Sequence, residues 1–480
     1  MSIKPRVRFA PSPTGFLHIG GARTALYNYL FAKAYGGTNI LRIEDTDLGR
    51  STPEYEQNVI NELKWLGIEY DESPERPGEV GPYRQSDRLH IYKKYALDLV
   101  EQGKAFYCFC TDEELEAKRQ YAADNNLAPH YDGTCKKFSK KEVEEKLAKG
   151  EKGAIRFSVP SRSYTFNDFV RGEVTFESGV VGDFVIIRAN GLPIYNYGCV
   201  IDDWQMKITH VLRAEDHLPN TVRQLMLYEA FGVTPPIFGH LSLLIGNDRQ
   251  KLSKRHGATS VTQYRESSYL PEAMNNYLCL LGWSHPNETD IFTKEEVTKH
   301  FTLDRFTKSP AVFDLEKFRW VNGQHLRGLD GITLHQEASK FINKDSPYHA
   351  QNEVWQKEFL DLFKIKVDFF NEYNAHATDI FNPTRQENEG LKEIYGWEST
   401  ATIAKFVKDE AEKLIGQGIS FLNAEQFKSW EDHLKIEKKI KGKFLFKGLR
   451  GVITGKDEGP DLHRLALLTP LKIISGRIDL

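Results

Sequence analysis

Residues 6–21 read Arg-Val-Arg-Phe-Ala-Pro-Ser-Pro-Thr-Gly-Phe-Leu-His-Ile-Gly-Gly, and they restrict the fold more than any other stretch. A short apolar strand (Val7, Phe9, Ala10) runs into Pro11, Pro13 and Gly15, a cluster that forces a turn. From about Ile19 the apolar residues Ala22, Ala25, Leu26, Tyr29 and Leu30 recur at helical spacing. His18, Gly20 and Gly21 therefore stand where a strand hands over to a helix N-terminus. Unpaired backbone N–H groups and the positive end of the helix dipole suit a phosphate there. Two glycines let a flat ligand approach the backbone closely. A bare His-x-Gly in a βα turn is common, so this stretch needs a partner elsewhere. A basic loop far downstream, Lys251-Leu252-Ser253-Lys254-Arg255, is the candidate.

The segment Asn39–Leu41 continues as Arg42-Ile43-Glu44-Asp45-Thr46-Asp47, an apolar strand ending in polar residues. Ser51-Thr52-Pro53-Glu54 predicts a helix start, with Ser51 and Glu54 as a capping box and a buried stripe of Val59, Ile60, Leu63 and Leu66. Strand, helix, strand, helix in this order argues for a parallel α/β sheet. Ligands then sit beyond the strand C-terminal ends, which places His18 and Glu44 on one rim.

From about Pro82 to Val200 the rhythm breaks into an α+β insertion. Strands are expected at 154–159, 163–169 and 184–188, and a Lys/Glu-rich helix at 136–152. The α/β pattern resumes at 208–213 and 241–245, and helical periodicity dominates beyond Val261. At 480 residues the chain exceeds one core, and no apolar run approaches the ~18 residues of a membrane helix. Five cysteines, an odd and sparse number, argue against a disulfide framework and for the cytoplasm. With a net charge of −3, a nucleic-acid partner would have to be met by a local basic face.

Lys251, Lys254 and Arg255 repel one another unless an anion lies between them, so a mobile loop here can close on a triphosphate and stabilise its transition-state charge. A solvated hairpin tip is the plainer alternative. Walker A and GxGxxG loops are both missing.

The His18-Ile19-Gly20-Gly21 and Lys251-Leu252-Ser253-Lys254-Arg255 pair resembles the HIGH and KMSKS motifs of class I aminoacyl-tRNA synthetases. The flanks narrow this: residues 8–15, 41–47, Tyr83-Arg84-Gln85-Ser86, Leu192-Pro193-Ile194-Tyr195-Asn196, 211–217, Tyr269-Leu270-Pro271-Glu272-Ala273 and Leu280-Leu281-Gly282-Trp283-Ser284. Together they resemble the bacterial-type glutamyl-tRNA synthetase family over nearly the whole chain. The ordered set is far more specific than either short motif.

The resemblance implies that glutamate attacks the α-phosphate of ATP, pyrophosphate leaves, and the terminal adenosine of tRNA(Glu) takes the glutamyl group. Mg²⁺ would accompany the ATP. His18, Lys254 and Arg255 would be catalytic, and Ser12, Gly20, Gly21, Asp216, Leu244, Lys251, Ser253 and Lys254 would hold ATP. The amino acid needs cations for two carboxylates and an acid for its ammonium. Arg8 and Arg213 suit the first task and Glu44 the second, joined by Ala10, Ser12 and Tyr195. Cys199 stands where some relatives carry Asn.

The family's insertion sometimes carries zinc on a C-x-C, a third Cys and a His. Cys108, Cys110 and Cys135 are present, but Lys137 replaces the His, and Tyr131 would be needed as the fourth ligand. Reduced cysteines without metal are expected. The run from Lys435 to Arg450 holds one acid, Glu437, so Lys438, Lys439 and Lys441 are candidates for tRNA contact rather than a solvated helix face. Trp320, Trp355, Trp397 and Trp430 could stack on bases, although core packing is the commoner use of Trp.

The expected architecture is a Rossmann-like parallel-sheet α/β domain (1–82 and 201–262) split by a connective insertion (83–200). A helical junction (263–330) and an α-helical anticodon-binding half (331–480) follow, in a monomer. Three rival readings fit the sequence less well. A shortened glutamyl-transferring relative lacks the helical half. A nucleotidyltransferase that adenylates a small carboxylic acid needs no basic tail. A non-catalytic tRNA-binding protein would show damage at His18, Lys254 or Arg255, and all three are intact.

Overall fold

The computed structural model describes residues 4–253 and 259–479. Lys254 and Arg255 lie outside the described residues. The chain divides into two compact units, Met1–Glu266 with Pro271–Phe318, and Ser267–Leu270 with Arg319–Leu480.

In the first unit β1 (Arg6–Phe9) leads through the Pro/Gly turn into α1 (Ile19–Ala34), which returns to β2 (Thr38–Leu41). β1 and β2 pair in parallel from Arg6–Thr38 to Phe9–Leu41. A 3.0 Å bond from Arg42 N to the Phe9 carbonyl continues the register. α2 (Pro53–Trp65) buries Val59, Ile60 and Leu63 as its periodicity demands. Its cap is Thr52, not Ser51: the Thr52 hydroxyl accepts from Tyr55 N at 3.3 Å. Pro53 holds the residue before it in extended backbone, so Thr52 takes the boundary.

The next strands are antiparallel. β3 (Ala105–Cys108) and β4 (Ala154–Phe157) pair, and β7 (Phe184–Ile187) adds to β4. β5 (Tyr164–Asp168) and β6 (Gly172–Phe176) form a hairpin of their own; β6 went unread because its apolar residues are few. Four helices accompany them: α3 (Leu89–Glu101), α4 (Asp112–Asp124), α5 (Lys140–Ala148) and α6 (Tyr195–Gln205). α5 is shorter than the Lys/Glu run suggested because Ser139 and Glu142 form a capping box that fixes its start.

Parallel pairing returns with β8 (His210–Ala214) and β9 (Ile237–Leu241), joined by α7 (Leu218–Phe231). Thr209 N donates to the Arg6 carbonyl at 2.9 Å, which ties the start of β8 to β1. The expected strand at 241–245 is split. β9 ends at Leu241 and β10 is only Leu244–Ile245, paired in parallel with β11 (Ala311–Val312). The break is used: the Ser242 carbonyl accepts from the buried Arg23 guanidinium, and Leu243 N donates to Glu215 at 2.9 Å.

The second unit is helical. Ile403, Val407, Trp430, Leu434, Leu449, Val452 and Ile474 form one buried cluster. Among the described residues, buried Arg477 donates only to backbone carbonyls, including Ile453 at 2.6 Å and Asp379 at 2.7 Å, and burial pulls its pKa down to about 10. The basic run is not one helix face. A helix ends at Ile436, another starts at Lys443, and Lys439 (φ 59°) and Gly442 (φ 61°) turn the chain between them.

Beneath the C-terminal ends of β1 and β2 lies a buried ion network centred on α6. Asp202 accepts from Arg88 Nε at 2.6 Å, Tyr92 Oη at 2.9 Å and Gln85 Nε2 at 2.8 Å. Asp203 accepts from Arg8 Nε at 3.0 Å and Arg42 Nη1 at 2.6 Å. Asp202→Ala leaves Arg88 and Arg42 without that carboxylate and is expected to destabilise the first unit by about 3–5 kcal/mol. Urea unfolding followed by fluorescence checks this, with the transition moving to lower denaturant.

Candidate active site

A cavity of about 790 Å³ is lined by residues of β1, β8 and β10, by residues following β2, and by the turn before α1. Of the residues singled out in the sequence, Arg8, Ala10, Ser12, His18, Gly20, Gly21, Glu44, Tyr195, Arg213, Asp216, Leu244 and Lys251 all line it. Ser253 does not, and Lys254 and Arg255 are outside the described residues.

The convergence of the two motifs is built from backbone. Ile19 N donates to the Thr259 carbonyl and Val261 N to the Leu17 carbonyl, both at 3.0 Å, so the chain just after the basic loop pairs with the His18 turn. The chain just before it is held by a second hairpin, with Gly246 N to Gln250 O and Leu252 N to Leu244 O at 2.9 Å. Buried Glu62 clamps both sides: one carboxylate oxygen accepts from Leu17 N at 2.8 Å and the other from Thr262 N at 2.9 Å. Sequence reasoning missed Glu62, because an acid among a helix's buried positions reads as one more surface charge. His18 is the N-cap of α1 but its ring makes no cap bond, and it is exposed in the cavity. Lys251 Nζ lies 2.8 Å from Asp216 Oδ2. Burial alone would raise the Asp216 carboxyl, but Lys251 and its neighbours bring it below the ordinary carboxylate range.

The polar floor of the cavity has been partly committed to the protein itself. Arg8 faces Asp203 with Nε and Nη2 at 3.0 and 3.3 Å, and Glu44 Oε1 accepts from Arg42 Nη2 at 3.0 Å. Burial would raise Asp203, yet the two guanidiniums hold it down at about 2; burial wins at Glu44, which is raised despite Arg42. Cys199 sits below this floor, touching Arg8, Arg42 and Asp203, and does not line the cavity; burial and Asp203 push its thiol up to about 12. Arg8, Arg213 and Glu44 each keep one side-chain polar atom without a hydrogen-bond partner among the described residues. Arg213 Nη1 is buried with no partner. Among the described residues, neither Arg8 Nη1 nor Glu44 Oε2 is bonded.

Asp47, Arg50, Arg188, His217 and Asn220 also line the cavity and were not singled out. The Val211–His217 segment itself was the available signal for His217. Tyr195 Oη and His217 Nδ1 are 3.1 Å apart. Burial and the Arg213 charge lower His217 to about 4, so the ring is neutral and can accept from the phenol at neutral pH.

Two other clusters carry sequence expectations. Cys108, Cys110 and Cys135 bring their sulfurs within 4.8 Å of one another. Tyr131 Oη lies 3.4 Å from Cys110 Sγ and accepts from Cys135 N at 2.9 Å. Three sulfurs and a phenol thus form a closed four-donor set that could hold a metal, while Lys137 is exposed and apart from it. In the helical unit Lys439, Lys441, Trp397 and Phe444 line one surface cavity, and Lys443 Nζ is 5.7 Å from the Trp397 ring centre. Trp355 and Trp430 are core residues; Trp320 is 42% exposed and Trp397 packs edge-on to Phe444.

In the free protein, His217 is expected to titrate near 4, with the neutral side chain favoured above that. Replacing Arg213 with Gln removes a neighbouring cation and should move the midpoint upward toward the ordinary imidazole value. NMR titration of the His217 ring reads both.

Comparison with known proteins shows what the chain is similar to. Residues 4–320 match the family of class I tRNA synthetases (E and Q), catalytic domain. A glutamate–tRNA ligase of Carboxydothermus hydrogenoformans is 45% identical over 473 residues, covering 97% of each chain. Glutamate–tRNA ligase 1 of Fervidobacterium nodosum is 46% identical, over 95% of this chain and 94% of its own. A crystal structure of a glutamate tRNA ligase from Elizabethkingia meningosepticum in complex with its amino acid superimposes with a TM-score of 0.87 at 32% identity, covering 99% of both chains.

Proposed function

The chain belongs to the class I tRNA synthetases of the E and Q group, and from that premise we infer that it attaches glutamate to tRNA at the expense of ATP. The observation that carries the glutamate assignment is the polarity left over in the cavity. Two guanidinium donors, Arg8 Nη1 and Arg213 Nη1, and one carboxylate acceptor, Glu44 Oε2, are the inverse of an amino acid with two carboxylates and one ammonium. Ala10, Ser12 and Tyr195 complete this pocket in the reading.

ATP would lie against the α1 N-terminus, with Gly20 and Gly21 admitting it and His18, Asp216, Leu244 and Lys251 around it. Support for a role of Lys254 and Arg255, with Ser253, comes from the pinning of both flanks of their loop to this cavity. The reaction then proceeds without a covalent enzyme intermediate. The glutamate α-carboxylate attacks the α-phosphate, pyrophosphate departs, and the tRNA terminal adenosine takes the glutamyl group from the adenylate. The protein supplies orientation and compensation of phosphate charge. Mg²⁺ enters with ATP. If zinc is bound, Cys108, Cys110, Cys135 and Tyr131 would hold it in a structural role outside the reaction. The reading includes a cytoplasmic monomer, and the segments 83–200 and 331–480 as acceptor-stem and anticodon contacts. Among the described residues no helix is long and apolar enough to cross a membrane.

Aminoacylation with purified tRNA(Glu) tests the reaction, offering glutamate and glutamine in turn. Arg213→Gln is expected to raise the glutamate KM by at least a hundredfold and leave the ATP KM within a factor of two; a charged hydrogen-bonded contact of about 3 kcal/mol sets that scale. Neutralising Lys438, Lys439 and Lys441 together should weaken tRNA binding and flatten its dependence on salt, because each lost phosphate contact removes about one released counterion. Titrations of labelled tRNA across a salt series measure the slope, and an unchanged slope returns these lysines to a solvated turn.

A further inference from the structure

The two cavity arginines differ in what holds them. Arg8 meets Asp203 with two nitrogens, so a carboxylate matches its charge. Arg213, buried near the end of β8, is hydrogen-bonded to no carboxylate among the described residues. Its Nε donates to His240 Nε2 at 3.1 Å, and its Nη2 donates to Thr221 Oγ1 at 2.8 Å and Gln224 Oε1 at 2.9 Å. A guanidinium can only donate, so His240 Nε2 must accept. The imidazole proton then sits on Nδ1, where it is donated to Asp168 Oδ2 at 2.6 Å.

Asp168 is fully committed to this arrangement. Its Oδ1 accepts from the backbone N–H groups of Val170 at 2.9 Å, Arg171 at 2.8 Å and His240 at 3.2 Å. Burial opposes charge on both side chains, but Asp168 stays below its ordinary pKa through its donors while His240 is lowered, which keeps carboxylate and neutral imidazole together. The ring is also confined sterically. It stacks against Phe238 at 14°, and at Gly239 a Cβ would stand 2.1 Å from Phe169 Cζ, so the β5–β6 turn presses on β9 beside it.

We propose that His240, held in one tautomer by Asp168, is the positioning residue that fixes Arg213 for a carboxylate of the amino-acid substrate. The imidazole transmits Asp168's orientation to the guanidinium but not a directly bonded negative charge, which leaves the cation available to the ligand. This rests on the reading that Arg213 binds glutamate.

The test measures glutamate KM, ATP KM and kcat by aminoacylation at saturating tRNA for His240→Leu, His240→Gln and Asp168→Asn, beside Arg213→Gln. His240→Leu removes the ring's contacts with Arg213, Asp168 and Thr221 and is expected to raise the glutamate KM tenfold to a hundredfold or so, with the ATP KM within a factor of two. His240→Gln keeps an acceptor for Arg213 and should recover most of that loss. Asp168→Asn can donate to the ring, allow the other tautomer to turn an N–H toward Arg213, and so raise the glutamate KM as well. An unchanged glutamate KM in His240→Leu, or a rise shared equally by ATP and not relieved by Gln, overturns the proposal. If His240→Leu does not fold, the Asp168→Asn pattern decides alone, in the same two directions. Should Arg213→Gln itself leave the glutamate KM unchanged, the glutamate reading of Arg213 is what fails.

Discussion

The adjacent carboxylates of Asp202 and Asp203 on α6 determine how the first unit can close. They collect Arg8 from β1, Arg42 from the end of β2 and Arg88 from the turn before α3. Three guanidiniums stand against Asp202, Asp203 and Glu44, so the buried charges balance within the group. A network of this kind is costly to bury and more costly to leave incomplete. Its consequence is positional: α6 cannot slide along the sheet without stranding a charge, and Tyr195, at its first turn, is carried with it.

The same commitment shapes recognition. An arginine that already neutralises an aspartate offers direction more than charge, whereas one held by an imidazole, a hydroxyl and an amide keeps its charge for a ligand. Arg8 and Arg213 look alike in sequence and are opposite in this respect. Glu44 is raised by burial yet kept beside Arg42, an arrangement in which an incoming ammonium would favour its charged form.

The end of the cavity at the α1 N-terminus depends on a different device. Pairing of Leu17 and Ile19 with Thr259 and Val261 brings together segments separated by more than two hundred positions, and Glu62 closes the joint from α2. This anchors the chain on both flanks of the basic loop, at Leu252 and at Thr259. Backbone pairing with a buried carboxylate clamp is indifferent to most side chains. That is why neither Thr259 nor Glu62 stood out in the primary structure.

Local pattern was sufficient for much of this protein. The strand–turn–helix at residues 6–34 and the buried stripe of α2 follow from periodicity and turn chemistry, because each depends on neighbours a few positions away, whereas the grouping of the cavity residues was implied only by the order of motifs along the whole chain. The cap at Thr52, the split at Ser242-Leu243, the break through Lys439 and the unread β6 depended on details that propensity resolves poorly. What tertiary structure alone decided is which polar groups are already spent. Asp203 on Arg8, Asp168 behind His240, Glu62 across two segments and Tyr131 among three cysteines are each partnerships between distant residues. A sequence names the donors and acceptors, but only folding settles which of them remain unpaired, and it is the unpaired ones that bind.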